Sequence, residues 1–250
     1  MNLSTRFDAD GFCDFQVVWE HGDRVFSRGW HLNADGNRTA VLAVSPAAQH
    51  PAPATLDLLT HEYGLKDELD GEFAARPLVL IRDGGQLALV LEDPGGGPLD
   101  LHAQVPTDVG HFLHLAIRIA RALGKLHQRG LVHKDIKPAN ILVNHVTGAV
   151  KLTGFGIATR LPRERQAPAP PEFIAGTLAY MAPEQTGRMN RSIDSRSDLY
   201  SLGVTLYQVL AGSLPFTASD PMEWVHCHIA RKPASPIERS DNIPDRKSVV

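Results

Sequence analysis

A short polar segment in the second half of the chain carries the residue types that phosphoryl transfer requires. His133–Val143 reads HKDIKPANILV. In such chemistry Asp135 could accept the proton of a substrate hydroxyl, Lys137 could place positive charge beside a γ-phosphate, and Asn140 could ligate a metal ion. The spacing puts all three side chains on one loop that runs into an apolar, strand-like segment.

The rest of the chain predicts elements that would position this loop. The first hundred residues favour strands, with hairpin turns at 21–23 and 83–85, and one amphipathic helix over 54–69. A glycine-rich linker, EDPGGGP at 92–98, is followed by helical periodicity. The predicted strands are 15–19, 24–28, 40–44, 78–82 and 86–91, and the later helices are 107–127, 199–210 and 222–230. An exposed loop is expected from Arg160 to Pro171.

Composition narrows the class of protein. The chain has 250 residues, of which 43% are hydrophobic and 21% charged, and this is typical of a globular protein with a core. A net charge of -3 gives no electrostatic case for nucleic acid. Two distant cysteines do not make a disulfide framework, and no apolar run could span a bilayer. A cytoplasmic protein without a membrane segment, or the soluble part of a larger protein, is therefore expected.

Several motifs in order along the chain resemble eukaryotic-type serine/threonine protein kinases, over about residues 15 to 235. The segment 133–143 resembles their catalytic loop, with Thr177 and Lys137 in the serine/threonine pattern. The resemblance implies an α+β fold with an N-lobe at 1–93, a hinge at 94–98 and an incomplete C-lobe at 99–250. The other matching segments are KLTGFG at 151–156, GTLAYMAPE at 176–184 and SDLYSLG at 197–203, and Glu62 takes the place of the N-lobe helix glutamate.

The resemblance also implies the site residues and cofactors. ATP and Mg²⁺ would be the cofactors, with Asn140 as a metal ligand, and Asp198 would brace the catalytic loop. Catalytic roles fall on Asp135, Lys137, Asn140 and Thr177. Nucleotide-binding roles fall on Glu62, Leu91, Glu92, Asp93, Asn140 and Leu142.

A finer resemblance involves the segments 151–171 and 184–191. They are similar to the N-terminal kinase-like domains of large bacterial hybrid sensor histidine kinases. In those proteins the domain precedes an ATPase module and a histidine kinase. The resemblance implies a role in two-component signalling, with a protein partner or substrate.

Four departures from the kinase pattern concern positions that would bind ATP or its metal ion. Gly154 replaces the metal-binding aspartate, and the strand at 41–44 has no lysine to pair with Glu62. The turn at 21–24 has one glycine and an added acid. The adenine-binding N–H falls at Pro94, which has none, or at Gly95 if the register shifts by one.

Two functions follow as alternatives. The four departures from the kinase pattern predict a regulatory pseudokinase with weak or no phosphotransfer. An active serine/threonine kinase that uses Asp135 as base is the alternative, supported by the intact loop. Arg24 or Arg28 could reach the phosphates in place of the missing lysine, although a solvated surface charge is the more frequent role of such an arginine.

Five smaller expectations also follow from the sequence. With Lys134 in place of the usual arginine, and only Thr159, Thr177 and Tyr180 as hydroxyls in the segment, no switch by loop phosphorylation is expected. His226–His228 is expected to pack in a helix rather than bind metal. The kinase pattern predicts further C-lobe helices that the sequence lacks, so an exposed apolar surface, a marginally stable fragment and an unpaired, buried Glu184 are expected.

Overall fold

A computed structural model describes residues 11–83, 86–99, 109–161, 175–189, 191–239 and 243. The chain divides into two compact units. The first comprises Met1–Gly96 and Val143–Gly156, and the second comprises Gly97–Leu142 and Ile157–Val250. In the described residues, no helix is both long enough and apolar enough to cross a lipid bilayer.

The first unit is built on a five-stranded antiparallel sheet with the order β1-β2-β3-β5-β4. Each strand is longer than its apolar run predicts, by one residue in β5 and by five in β1, because backbone pairing continues into the flanking residues. Its strands are β1 (Phe12–His21), β2 (Arg24–Leu32), β3 (Arg38–Pro46), β4 (Pro77–Asp83) and β5 (Gln86–Glu92).

The β1–β2 connection is a tight hairpin. His21 pairs with Arg24, so Gly22 and Asp23 alone form the turn. Gly22 has a φ of 60°, a left-handed conformation that favours glycine. The turn predicted at this position is confirmed, and it fixes the register that places Arg24 opposite Pro46 of β3.

Both faces of the sheet are apolar. One face carries a cluster of Phe12, Phe15, Val41, Ala43, Ile81, Ala88 and Val90. On the other face Leu42, Val44, Leu89 and Leu91 are almost fully buried. Such unbroken apolar runs in β3 and β5 are expected of strands covered on both sides.

Helix α1 (Pro53–Gly64) packs on β4 and β5. It begins with Pro53 at its first position, where a missing N–H costs nothing. The apolar periodicity predicted a helix up to residue 69, but the helix ends at Gly64 and the chain continues in turns. Leu65 and Leu69 remain 3% exposed in those turns, which explains why they extend the helical pattern.

The second unit contains three α-helices in its described part. They are α2 (Val109–Gln128), α3 (Ser195–Ala211) and α4 (Pro221–Ala230). The side chains of Asp194 and Asp220 cap α3 and α4 by accepting backbone N–H groups. The start of α2 predicted at Thr107 or Asp108 lies outside the described residues, as does most of the predicted loop 160–171.

Short strands complete both units: β6 (Gly97–Pro98), β7 (Leu131–Val132), β8 (Ile141–Val143), β9 (Val150–Leu152) and β10 (Thr159–Arg160). In the second unit, β7 pairs with β10. The same unit exposes apolar side chains, including Leu199 of α3 at 54% and Met222 of α4 at 58%. Single exposed apolar side chains are common on protein surfaces, so the exposed apolar surface expected for this half of the chain stays a prediction.

Candidate functional site

The loop between β7 and β8 is held by the buried carboxylate of Asp198. Asp198 lies in the first turn of α3 and is 0% exposed. It accepts the backbone N–H groups of His133 and Lys134 at 2.8 and 2.7 Å, and the ring N–H of His127 at 2.9 Å. Three donors satisfy a charge that would otherwise be costly to bury. The bracing role that the resemblance assigned to Asp198 therefore has a direct structural basis.

Lys134 is one of the two described non-glycine residues with a left-handed backbone, with a φ of 67°. This backbone conformation is strained for a residue with a side chain. The hydrogen bond from the Lys134 N–H to Asp198 offsets the strain, and Gln185 Nε2 donates to the Lys134 carbonyl at 2.8 Å. Burial lowers the pKa of the Lys134 ammonium, and the nearby Asp198 charge opposes that shift. The loop conformation is thus maintained from α3 and from the turn containing Gln185.

Asp135 lies at the centre of the predicted catalytic residues. Lys137 Nζ is 2.9 Å from Asp135 Oδ2 and donates to Thr177 Oγ1 at 2.6 Å. The Thr177 hydroxyl in turn donates to Asp135 Oδ1 at 2.8 Å. Lysine, threonine and aspartate thus form a closed hydrogen-bonded ring.

Asn140 joins the ring from the other side. Its Nδ2 donates to the backbone carbonyl of Asp135 at 2.8 Å and to Asp135 Oδ2 at 2.9 Å. The side chain is buried, and the short 3₁₀ turn Pro138–Asn140 positions it. All four residues assigned to catalysis lie together, with two donors on each oxygen of the Asp135 carboxylate.

In the first unit, Glu62 of α1 is 2% exposed and makes two contacts. Its Oε1 accepts the backbone N–H of Gly154 at 3.0 Å, and its Oε2 lies 3.9 Å from Arg24 Nη1. Val44 of β3 is 2% exposed, in the run where a lysine would be expected. In the part of the chain that the structure describes, Arg24 of β2 is the cation that pairs with this glutamate.

Asp93, at the end of β5, makes a second arginine contact. Arg28 donates from Nε to Asp93 Oδ2 at 2.5 Å and from Nη2 to Oδ1 at 3.2 Å. The same Nη2 donates to the carbonyl of Gly96 at 2.7 Å. Asp93 Oδ1 also accepts the N–H of Gly95 at 2.9 Å. Arg28 and Asp93 thus occupy the Gly96 carbonyl and the Gly95 N–H with hydrogen bonds inside the first unit.

These contacts correct the interpretation of Arg24 and Arg28 as solvated surface charges. The Arg24 side chain is 17% exposed and that of Arg28 is 37% exposed, and each faces a carboxylate that is 2% exposed. The signal that could have indicated this lies in the spacing. Arg24, Phe26 and Arg28 alternate along β2, and the register aligns Phe26 with Val44 and Arg28 with Leu42 on a buried face.

The remaining residues assigned to the nucleotide have other surroundings. Leu91 and Leu142 are 0% exposed, each within its own unit. Glu92 accepts from Arg76 at 2.7 and 3.0 Å on the exposed side of β5. Among the described residues, the hydrogen-bond partners of Glu92 and Asp93 are different: Arg76 binds Glu92, and Arg28 and the Gly95 N–H bind Asp93.

Glu184 differs from expectation. It is partly buried rather than fully buried, and Ser197 Oγ donates to its Oε1 at 2.6 Å, so it is not unpaired. The expectation failed because a hydroxyl on the first turn of α3 substitutes for the absent arginine.

The segment 226–228 packs as expected for a helix. Cys227 and His228 are buried while His226 is exposed. His228 bridges the Tyr200 hydroxyl and the Leu178 carbonyl, each at 2.8 Å, and stacks on Trp224. This histidine connects α4 with α3 and with the segment that follows Thr177.

The fold and the loop define a protein of the kinase class: a unit with a five-stranded sheet and one helix, and a helical unit that carries an aspartate-lysine-asparagine loop. The family model for the protein kinase domain matches residues 37–249. The chain belongs to the protein kinase family.

Curated relatives point to the bacterial serine/threonine branch of this family. The chain is 35% identical over 143 residues to the serine/threonine-protein kinase PknB of Mycobacterium tuberculosis, covering 57% of this chain and 22% of that protein. It is 34% identical over 179 residues to PknB of Mycobacterium leprae, covering 71% and 27%. It is 33% identical over 171 residues to PksC of Streptomyces coelicolor, covering 68% and 29%. The chain thus matches less than a third of the length of these relatives.

Protein kinases as a family use ATP and Mg²⁺. The residues present here fit the metal only in part. The Gly154 position offers Glu62 an N–H donor instead of a carboxylate ligand. Asn140 donates to Asp135 through Nδ2, which leaves its Oδ1 as the atom that could ligate a metal ion. Residues 94 and 95 do not fit adenine, since Pro94 has no N–H and the Gly95 N–H is bonded to Asp93.

Proposed function

We propose that this chain is a regulatory pseudokinase: a serine/threonine kinase-like domain that signals through protein contacts, with weak or no phosphotransfer. The domain keeps the kinase architecture and its loop. The groups that would recognise a nucleotide are absent or bonded to the protein itself.

The observation that carries the proposal is the set of hydrogen bonds around Asp93. Adenine recognition in kinases uses backbone polar groups of the hinge, which the resemblance places at 94–98. Here Pro94 lacks a donor and the Gly95 N–H donates to Asp93. The Gly96 carbonyl accepts from Arg28, and Arg28 also binds Asp93 through two nitrogens. A nucleotide would have to break a charge-assisted network to gain equivalent contacts.

Further support comes from the sheet face around Val44. Phe26 pairs with Val44 across β2 and β3 and is 4% exposed, and Trp19 stacks on Phe26 with ring centroids 4.8 Å apart. Aromatic side chains therefore cover the strand where a lysine would contact phosphate. The tight turn at Gly22 and Asp23 leaves no glycine-rich loop whose N–H groups could cradle a phosphate.

An active kinase remains the second candidate because of one observation. The side chains assigned to catalysis are all present and lie within hydrogen-bond distance of one another: Asp135, Lys137, Asn140 and Thr177. That arrangement also has a structural explanation, since it ties the segment around Thr177 to the loop.

A thermal-shift titration separates the two functions. A ligand that binds the native protein raises the apparent melting temperature by mass action. We expect no rise with millimolar ATP, alone or with Mg²⁺ or Mn²⁺. Transfer of labelled phosphate that requires metal, is abolished by Asp135→Asn and is raised by Gly154→Asp would overturn the proposal.

The finer resemblance suggests the setting. We propose a bacterial cytoplasmic protein related to hybrid sensor histidine kinases, with lobes at 1–93 and 99–250 joined at 94–98. Its partner would be a protein of a two-component pathway, such as an ATPase or histidine-kinase module. Co-purification of the chain with such modules expressed in trans tests this; no association with any module would contradict it.

A further inference from the structure

We infer that Arg24 is a positioning residue: it takes the place of the missing strand lysine as the partner of Glu62 and holds helix α1 without a nucleotide. The inference rests on contacts within the first unit and does not depend on the proposed function.

The geometry of the sheet explains how β2 can supply this cation. Cross-strand partners and residues two apart on one strand share a face. Phe26 pairs with Val44, so Arg24 projects from the same face as Val44. The two-residue turn at Gly22 and Asp23 fixes this register, because one added residue would send Arg24 to the opposite face.

The electrostatic need for Arg24 comes from the burial of Glu62. A carboxylate that is 2% exposed requires compensation, and one N–H donor from Gly154 supplies only part of it. Among the described residues, Arg24 is the one cation in an ion pair with Glu62, at 3.9 Å. With its own side chain 17% exposed, Arg24 is shielded enough from water for the charge interaction to be effective.

Glu62 transmits this effect to the segment around Gly154. Its Oε1 holds the Gly154 N–H, and Gly156 packs closely against Leu58 of α1, where an added Cβ would lie 2.9 Å from the Leu58 Cβ. Arg24 therefore acts through Glu62 on α1 and on the turn 154–156 together. The first unit keeps this arrangement through its own side chains.

Amide hydrogen exchange of the full chain tests the inference. Three variants are compared: Arg24→Gln, which removes the charge, Arg24→Lys, which keeps it, and Arg82→Gln as a matched control. Arg82 contacts the same helix through Thr60 Oγ1 at 3.2 Å, on its exposed side. We expect Arg24→Gln to accelerate exchange of the α1 and Gly154 amides by roughly tenfold, as expected for a lost charge-assisted contact.

The controls make the outcome specific to charge. Arg24→Lys should restore protection to within about threefold, and Arg82→Gln should leave it unchanged. Equal protection in Arg24→Gln and the unsubstituted chain would overturn the inference, as would equal loosening by Arg82→Gln.

Arg24→Gln could unfold the chain, and a second experiment therefore uses the Glu62→Gln variant, which lacks the carboxylate charge, as the background. Glu62→Gln retains an acceptor for the Gly154 N–H but removes the need for a cation. In that background, Arg24→Gln should fold and leave exchange unchanged. A double variant that still unfolds, or still loosens α1, would contradict the role assigned to Arg24.

Discussion

The hydroxyl and the backbone N–H of Thr177 both donate to the same oxygen of Asp135, at 2.8 and 2.9 Å. One carboxylate oxygen thereby connects the loop to the segment that begins at Gly176. That segment is further confined because Gly176, with a φ of 118°, lies close to the Lys134 carbonyl. The catalytic-type geometry is therefore also a tertiary contact.

Thr177→Val tests the structural part of this contact. Valine keeps the shape of threonine but removes the hydroxyl, leaving the Lys137 and Asp135 partners with one hydrogen bond fewer. We expect a loss of about 1–3 kcal/mol in unfolding free energy, measured by urea denaturation. Thr177→Ser, which keeps the hydroxyl and removes the methyl group, should lose less than about 1 kcal/mol. A loss for Thr177→Ser as large as that for Thr177→Val would contradict the dominant role of the hydroxyl.

Arg28→Ala should destabilise the first unit by leaving the buried Asp93 carboxylate without its cation. Because the Arg28 side chain is partly exposed, we expect about 1–3 kcal/mol, less than for a fully buried pair. The double variant Arg28→Ala/Asp93→Ala should cost less than the sum of the single changes. Strict additivity in this urea-unfolding cycle would mean that the ion pair contributes nothing.

Asp198→Asn should be the most damaging single change in the second unit. An asparagine has one acceptor oxygen for the three donors that Asp198 binds, and its NH₂ group would face an N–H. We expect a loss of about 3–5 kcal/mol in unfolding free energy.

The matched control for this change is Asp194→Asn, on the same helix. Asp194 caps α3, and asparagine caps a helix about as well as aspartate, so the loss should stay below about 1 kcal/mol. A similar loss for both variants would contradict the special role of the Asp198 carboxylate.

The stability of the second unit should fall in mild acid through His228. Burial lowers the pKa of His228 below its ordinary value of 6.5, although its hydrogen bond to the Leu178 carbonyl opposes the shift. Between the folded and unfolded pKa values the unfolded chain binds more protons, so stability decreases as pH falls below about 6.5. His228→Gln should flatten the melting temperature between pH 7 and 5; an unchanged slope would exclude His228 as the cause.

Local signals predicted much of the fold. Apolar runs and a glycine turn located the strands of the sheet, and the motif His133–Val143 located the loop, because each depends on neighbouring residues. The end of α1 was missed, since Leu65 and Leu69 continue the helical spacing while buried in turns. Boundaries of this kind depend on tertiary packing, which overrides periodicity.

The arginine contacts show a different limit. Arg24 and Glu62 are 38 positions apart, and Arg28 and Asp93 are 65 apart, so no local pattern pairs them. Recognising the pairs requires the register of β2 against β3, which a two-residue hairpin sets. Glu184 was misjudged for the same reason, because its partner Ser197 follows an intervening segment.

Two of the three hydrogen bonds of Asp198 are made with backbone N–H groups of the loop, so the loop backbone is part of the packing around α3, whatever chemistry the loop performs. A chain that had abandoned phosphoryl transfer would still lose stability if it lost Asp198. The presence of this aspartate is therefore a sign of a folded loop and does not by itself indicate phosphoryl transfer.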